Sequence, residues 1–294
     1  MLVKYCNADC QKNHWPTHKA ACKLRAAELR DEALFKDPPA KEECSICFLP
    51  MPEKLICCAS LPPATLLSVP IYDLAMANQR LVTQSMKEYY SCCGKSICVG
   101  CIDSLSMSGN SGKCVFCNSN PGDQTTQERL EDLMKRVEAN DAGAMCLMGN
   151  HHHLGEEGVL QDQAKATELW TRASKLGSSS AHYNLAYYYQ GGGNMKKAKF
   201  HLEEAAMAGH EAARCNLGAM EANSGNMERA VKHWMIAASA GDYYSMHTLR
   251  TNVENGFVCR ESIDSTLKAY NKSCAEMRSE ARDAIIRVMV SWQQ

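Results

Sequence analysis

Gly177, Gly209 and Gly241 stand 32 residues apart, and the residues around them keep the same step. Ala181, Ala213 and Ser245 follow it, as do Leu185, Leu217 and Leu249, and so does the series Trp170, Leu202 and Trp234. A first unit begins near Ala144 and is five residues longer, with the extra length falling around Gly155 to Gly158. A period in the low thirties with apolar positions at helical spacing is the mark of a helix–turn–helix unit. The alanines let two helices approach closely, and a glycine after the second helix supplies a left-handed cap without a side-chain clash. One such hairpin cannot bury its own apolar face, whereas stacked hairpins share a continuous core. About four units are visible over residues 141–273.

Proline agrees with this division. All nine prolines fall at or before Pro121, so residues 122–294 hold none. Proline costs about 3 kcal/mol inside a helix, so a long proline-free stretch rich in Ala, Met, Glu and Lys reads as helical. The boundary lies in the turn-forming run 118–123. The expected fold is mostly α, with small zinc-stabilised N-terminal modules followed by an α-solenoid. Residues 124–140 form a charged helix that caps one end. A longer helix from Ala275 to Trp292, within a segment 274–294, caps the other.

Cysteine dominates the front of the chain. Thirteen of the 17 cysteines lie between Cys6 and Cys117. The N-terminus lacks the apolar run of a secretory signal, the cysteine count is odd, and C-x2-C pairs recur. Together these favour metal ligation in a reducing compartment over disulfides, and hence a cytoplasmic or nuclear location. The formal net charge is −1, and no basic stretch supports binding to nucleic acid phosphates. No apolar segment reaches membrane-spanning length.

Between residues 44 and 120 lie Cys44-x2-Cys47, Cys92-Cys93, Cys98-x2-Cys101 and Cys114-x2-Cys117. A tight turn within C-x2-C lets both sulfurs reach one zinc at about 2.3 Å. Eight cysteines suffice for two tetrahedral Zn2+ ions. The stretch from Ser91 to Cys101 resembles the central knuckle of a RING-type finger. That resemblance implies interleaved ligands: Cys44, Cys47, Cys98 and Cys101 on one zinc, Cys92, Cys93, Cys114 and Cys117 on the other. Lys95 stands where that family has a histidine, so the second site uses the adjacent Cys92 and Cys93 or borrows from Cys57-Cys58. The loop from Cys47 to Cys92 is long and its apolar residues, Tyr72 to Met86, suggest an added helix. In the family, an aliphatic residue between the first ligands and an apolar loop near the last pair recruit a ubiquitin-conjugating enzyme. Ile46, Val115 and Phe116 would take those parts, although Val115 stands where a proline is usual and Asn118 where a basic residue is frequent.

Cys6-x3-Cys10-x7-His18-x3-Cys22, with Gln11 and Trp15 inside, resembles the second half of a MYND finger over residues 1–22. The full finger has four more cysteines upstream. Either this reading frame starts late or the finger is a relic, and a compromise is one zinc shared by Cys6, Cys10, His18 and Cys22. The expected total is two to three structural zinc ions. Residues 23–43 read as an exposed charged helix, Lys23–Asp37, ended by Pro38-Pro39.

The solenoid half resembles the Sel-one-like repeat, a short relative of the tetratricopeptide repeat, through Asn216-Leu217-Gly218, Lys165-Ala166, Lys197-Ala198 and Ala237-Ala238. The unit after Asp242 is the weakest, since it lacks a closing Ala-Ala-x-x-Gly. The resemblance implies a curved superhelix that holds proteins or peptides. His151-His152-His153 looks like a metal tract, but neighbouring helical residues point about 100° apart and cannot share one ion. Tyr187-Tyr188-Tyr189 reads as packing between helices, and the isolated Cys146, Cys215, Cys259 and Cys274 as small apolar residues. Two functions stay open: a non-catalytic interaction scaffold, or a RING-type ubiquitin ligase whose repeats choose the substrate. Nothing resembles the catalytic domain of the MYND-linked lysine methyltransferases.

Overall fold

The computed structural model describes residues 15–51, 87–109, 113–120, 122–254 and 256–284. Helix α1 (Trp15–Leu34) comes first, and a hairpin of β1 (Lys87–Tyr90) and β2 (Lys95–Cys98) leads into α2 (Val99–Met107). The strands are antiparallel, with Lys87 opposite Cys98 and Tyr90 opposite Lys95. Helix α3 (Thr126–Glu138) precedes four helical hairpins. These are α4 (Ala142–Leu154) with α5 (Gln163–Lys175), α6 (Ser179–Gly191) with α7 (Met195–Met207), α8 (Glu211–Asn223) with α9 (Met227–Ser239), and α10 (Tyr243–Glu254) with α11 (Arg260–Met277). Successive helices pack side by side, so the chain behind residue 140 is a solenoid. Among the described residues no helix is long and apolar enough to cross a membrane.

The periodic glycines do what the sequence asks of them. Gly177, Gly209 and Gly241 take φ of +89°, +89° and +96°. The amide that follows each reaches back five residues, as in Ser178 N–H to Ala173 O at 3.1 Å and Asp242 N–H to Ala237 O at 3.0 Å. This closes the last turn and aims the chain into the next hairpin. Several helix starts are held by a side chain. Thr125 and Glu128 form a capping box at α3, and Asp141, Asp162 and Ser178 accept amides at α4, α5 and α6.

Within a hairpin, the second helix sets a large side chain against a small residue of the first. A side chain at Gly149 would strike the Trp170 indole, and one at Gly218 would strike the Trp234 indole. The second hairpin fills the same place with Leu202 and Ala186, both buried in one cluster. The indole N–H groups donate to Cys146 O and Cys215 O, both at 3.3 Å. Tyr188 and Tyr189 pack against the first hairpin's core, while Tyr187 is exposed. Cys146 and Cys274 are buried, but Cys259 lies exposed at the start of α11.

Two segments depart from the sequence expectation. The helix expected from Lys23 to Asp37 begins earlier, at Trp15, and is not simply an exposed charged rod. Its end is seated on the solenoid: Leu34 is buried with Leu202, Ala206 and Leu217, and Arg30 pairs with Glu203 at 2.7 Å. Helix α11 runs through the expected start of the capping helix but stops at Met277. Ser279 then opens a new helical stretch over 280–284, accepting the Arg282 amide at 3.2 Å. The break lets Arg282 turn back toward the cysteine-rich module, as described next.

Candidate metal centres

Cys44–Cys47 and Cys114–Cys117 sit in the same tight turn. Cys44 N–H donates to Leu49 O at 3.0 Å and Phe48 N–H to Cys44 O at 2.9 Å. In the second copy Cys114 N–H donates to Ser119 O at 2.7 Å and Asn118 N–H to Cys114 O at 2.8 Å. The residue after each pair is left-handed, Phe48 at φ +55° and Asn118 at φ +57°. Asparagine accepts that conformation readily, whereas phenylalanine is strained there. Cys92 and Cys93 lie in the hairpin turn, Cys98 ends β2, and Cys101 is on the first turn of α2.

These turns bring eight sulfurs into two groups. Cys44, Cys47, Cys98 and Cys101 form one, Cys92, Cys93, Cys114 and Cys117 the other, with all four Sγ atoms of a group within 4.8 Å of one another. Measured pairs are Cys44–Cys101 at 3.8 Å, Cys47–Cys98 at 3.9 Å and Cys93–Cys114 at 3.6 Å. Four sulfurs around zinc at about 2.3 Å lie about 3.8 Å apart, so both groups fit that ion. The chain order interleaves, because the first and third pairs share a site.

The electrostatics also favour a cation. Burial pushes up the Cys44 thiol, but backbone amides of Cys47, Cys98 and Ile46 outweigh it and bring it down to about 6. Cys47 and Cys101 are pushed up by the same burial and by neighbouring thiolate charge. In the second group burial raises Cys92 to about 12, while the Ser119 hydroxyl lowers Cys117 to about 7. Each group thus holds one thiol whose pKa is lowered beside two that burial raises, and a bound cation would favour the thiolate form of all of them.

All eight cysteines expected from the RING-type resemblance are therefore brought together, in the expected sets. Cys57 and Cys58 lie outside the described residues, as do Cys6 and Cys10. His18 and Cys22 fall on α1, and the side chains of this expected four-ligand set lie outside the described residues. Lys95 is exposed on β2. Ile46 packs partly buried against Cys44, Met51 and Ile97, while Val115 and Phe116 are exposed on the second turn. The three histidines on α4 part company: His152 meets Leu160 O, His153 meets Gln163, and burial lowers the pKa of His151.

Four residues around the centres have no sequence signal. Arg282 is only 1 % exposed, and its guanidinium donates to Pro50 O at 2.7 Å, Leu49 O at 3.2 Å and Cys47 Sγ at 3.6 Å. Arg136 on α3 donates to Ser91 O at 3.0 Å and Cys92 O at 3.2 Å beside the second group. The Tyr89 hydroxyl donates to Asp141 at 2.6 Å. Each end of the solenoid therefore places one arginine beside one four-cysteine group. A cavity of about 1020 Å³ lies between the module, residues 39–42 and the inter-repeat loops, with Met51 and Glu88 in its lining.

Comparison with known families places the ZMYND11/ZMYD8 MYND zinc finger on residues 1–22. The Sel1 repeat matches residues 142–178 and 179–210. A search of curated proteins finds no match. Among solved structures, a Sel1 repeat protein from Oxalobacter formigenes is similar at 20% identity over 61% of this chain and 72% of that one, with a TM-score of 0.46. The c5321 protective antigen of uropathogenic Escherichia coli, which displays an SLR fold, is similar at 18% identity over 63% of this chain and 46% of that one, with a TM-score of 0.35. The chain thus joins an N-terminal MYND-type sequence and two zinc-compatible cysteine clusters to a helical solenoid whose first two hairpins match the Sel1 repeat.

Proposed function

We propose that this protein is a zinc-dependent interaction scaffold, cytoplasmic or nuclear, whose Sel1 repeats hold protein or peptide partners. The observation that carries the reading is the pair of closed four-thiol groups docked on a repeat solenoid. A four-sulfur site leaves no coordination position for substrate, so zinc there is structural. The solenoid supplies the partner surface, and the zinc modules fix its ends. Two ions occupy the groups at Cys44 and Cys92, and a third belongs to the MYND-like residues Cys6, Cys10, His18 and Cys22. Elemental analysis of dialysed full-length protein tests this: two to three zinc ions per chain are expected, and fewer than one would sink the assignment. Affinity capture with and without a zinc chelator then asks whether partner binding follows the metal.

A second reading, a RING-type ubiquitin ligase, draws on two observations. The four-cysteine sets interleave, and the turns beside them expose Phe48, Val115 and Phe116 to solvent. Such a ligase would act by positioning a charged ubiquitin-conjugating enzyme. Full-length protein with activating enzyme, a panel of conjugating enzymes, ubiquitin and ATP decides between the two. Chains that vanish in Ile46→Ala and Phe116→Ala would establish the ligase, and silence across the panel leaves the scaffold.

A further inference from the structure

Residues 30–41 lie along the groove formed by α7, α8 and α9, and the contacts are of mixed kind. Arg30 bridges Glu203 at 2.7 Å and Glu204 at 3.1 Å, and its guanidinium lies over the Phe200 ring. Asp31 pairs with Arg229. Leu34 inserts into the core beside Leu202 and Leu217, and its carbonyl accepts from Arg214 at 2.7 Å. The Phe35 ring packs on His233 at 4.7 Å, with the Arg229 guanidinium on the same ring. Pro39 then meets Gly209, and Lys41 pairs with Glu211.

The wall beneath this segment is unlike a hairpin core. Eight polar or charged side chains are buried among the described residues, and five of them, His210, Glu211, Arg214, Glu221 and His233, belong to α8, α9 and the cap before α8. Neither ring nitrogen of His233 has a hydrogen-bond partner, although the residue is 0 % exposed. Burying such groups costs stability where apolar residues would serve. His210 caps α8 and Glu221 pairs with Lys199 and Asn226 inside the solenoid, but Arg214, Glu211 and His233 meet the segment itself, through Leu34 O, Lys41 and the Phe35 ring, and are poor candidates for mere packing. They match instead a surface that recognises a peptide by charge, by an aliphatic–aromatic step and by a polyproline extension.

We propose that the groove between α7, α8 and α9 is a peptide-docking surface held in cis by residues 30–41. Its partner in trans is a peptide carrying an acidic residue, an aliphatic–aromatic pair three residues later, and a Pro-Pro step beyond. The proposal rests on the scaffold reading and names which face of the solenoid serves it. The cis segment has an effective concentration that a free peptide must overcome, so the groove opens only when the segment is loosened or outcompeted.

The test uses full-length zinc-loaded protein and a fluorescein-labelled synthetic peptide of residues 26–43, read by anisotropy. Wild-type protein is expected to bind it weakly. Asp31→Arg opposes Arg229, loosens the cis segment and leaves the groove native, so peptide affinity rises at least tenfold. Adding Arg229→Asp restores the cis pair with reversed polarity and returns binding to the wild-type level. Phe35→Ala, which removes the ring from His233, serves as an independent opening variant. Either variant with wild-type helicity but no gain in peptide binding overturns the proposal. So does loss of helicity in both, which would make the segment part of the folding core, or a dimer in sedimentation, which would make the occupant a second copy. Those failures leave the scaffold reading standing, because zinc-dependent partner capture tests it through any face.

Discussion

At Arg282 one side chain joins a zinc-compatible cluster to the far end of the solenoid. A tetrathiolate site with zinc carries excess negative charge, and an N–H donor on Cys47 Sγ together with a buried cation offsets it. Arg282→Met keeps much of the side-chain volume and removes both. Loss of such an outer partner costs roughly 10–100-fold in metal affinity, to be read as faster zinc transfer to a chromogenic chelator. Nothing in the sequence singles out Arg282, because a buried arginine and an exposed one look alike in a helical C-terminal stretch. The Trp–Gly pairs are different: their spacing follows the repeat, and the fold makes them complementary. Gly218→Ala drives a methyl group into the Trp234 indole, and overpacking of this kind costs about 1–3 kcal/mol in a urea melt. His233 yields a pH prediction. Burial, with Arg214 and Arg229 nearby, pulls its pKa down to about 4, against an attraction from Glu221 and further repulsion from Lys199. The unfolded histidine takes its proton near pH 6.5, so the stability from keeping it neutral is complete above that pH and is lost as pH falls toward 4. The full contribution is about 3 kcal/mol. His233→Phe should flatten the stability–pH curve across that window relative to wild type, and an unchanged slope would count against the burial argument.

Among the elements, helix ends were the most readable feature and helix partners the least. Capping glycines placed the ends of α5, α7 and α9, because a left-handed residue after a helix is a local requirement of the backbone. The weak fourth unit was visible as a missing Ala-Ala-x-x-Gly, and the structure gives it a physical form. Helix α11 is longer than the second helices of the other hairpins and lies against α9 as well as α10. The cysteine pairs were readable for the same reason as the caps, since C-x2-C is a turn that sets its own ligands. By contrast, the seating of α1 on α7 depends on residues about 170 positions apart, such as Arg30 and Glu203, and no local pattern records it. Asp141 shows how one residue can serve two elements. Its carboxylate caps α4 through the Gly143 and Ala144 amides, at 2.9 and 3.1 Å, and accepts the Tyr89 hydroxyl of the β-hairpin. Asp141→Ala removes the cap, worth about 1 kcal/mol. It also strands a half-buried hydroxyl, worth about another 1–3 kcal/mol. A drop larger than the cap alone, in chemical denaturation, would show that the hairpin contact contributes; Tyr89→Phe should then recover the second part in a double-mutant cycle.

Over the whole molecule, the cysteine-rich module closes a path between the two ends of the solenoid. Arg136 on α3 grips the turn that carries Cys92, before the first repeat, and Arg282 grips the turn that carries Cys47, after the last. Sequence alone treats the module and the repeats as neighbours in a string, so a chelator should unfold residues 44–117 and leave the repeat helices intact. The structure keeps the central part of that expectation and changes its edges. Helices α6 to α8 pack on one another around Ala186, Leu202, Ala205, Ala206, Ala213 and Leu217, and α9 packs on α8. Residues 280–284 instead meet the module through Arg282, and α3 meets it through Arg136. Removing zinc releases both arginines from the module carbonyls they hold and leaves the buried Arg282 guanidinium with Met277 O as its remaining acceptor, a loss that local opening relieves more cheaply than global unfolding. Hydrogen exchange with and without chelator should therefore show faster exchange in α3 and from the end of α11 through residue 284, with protection unchanged in α6 to α9. Arg136→Ala combined with Arg282→Ala should give the same pattern with zinc still bound. Exchange that accelerates uniformly along the repeats would mean that metal holds the entire solenoid together, and exchange that accelerates nowhere beyond residue 120 would mean that the arginine contacts carry no coupling.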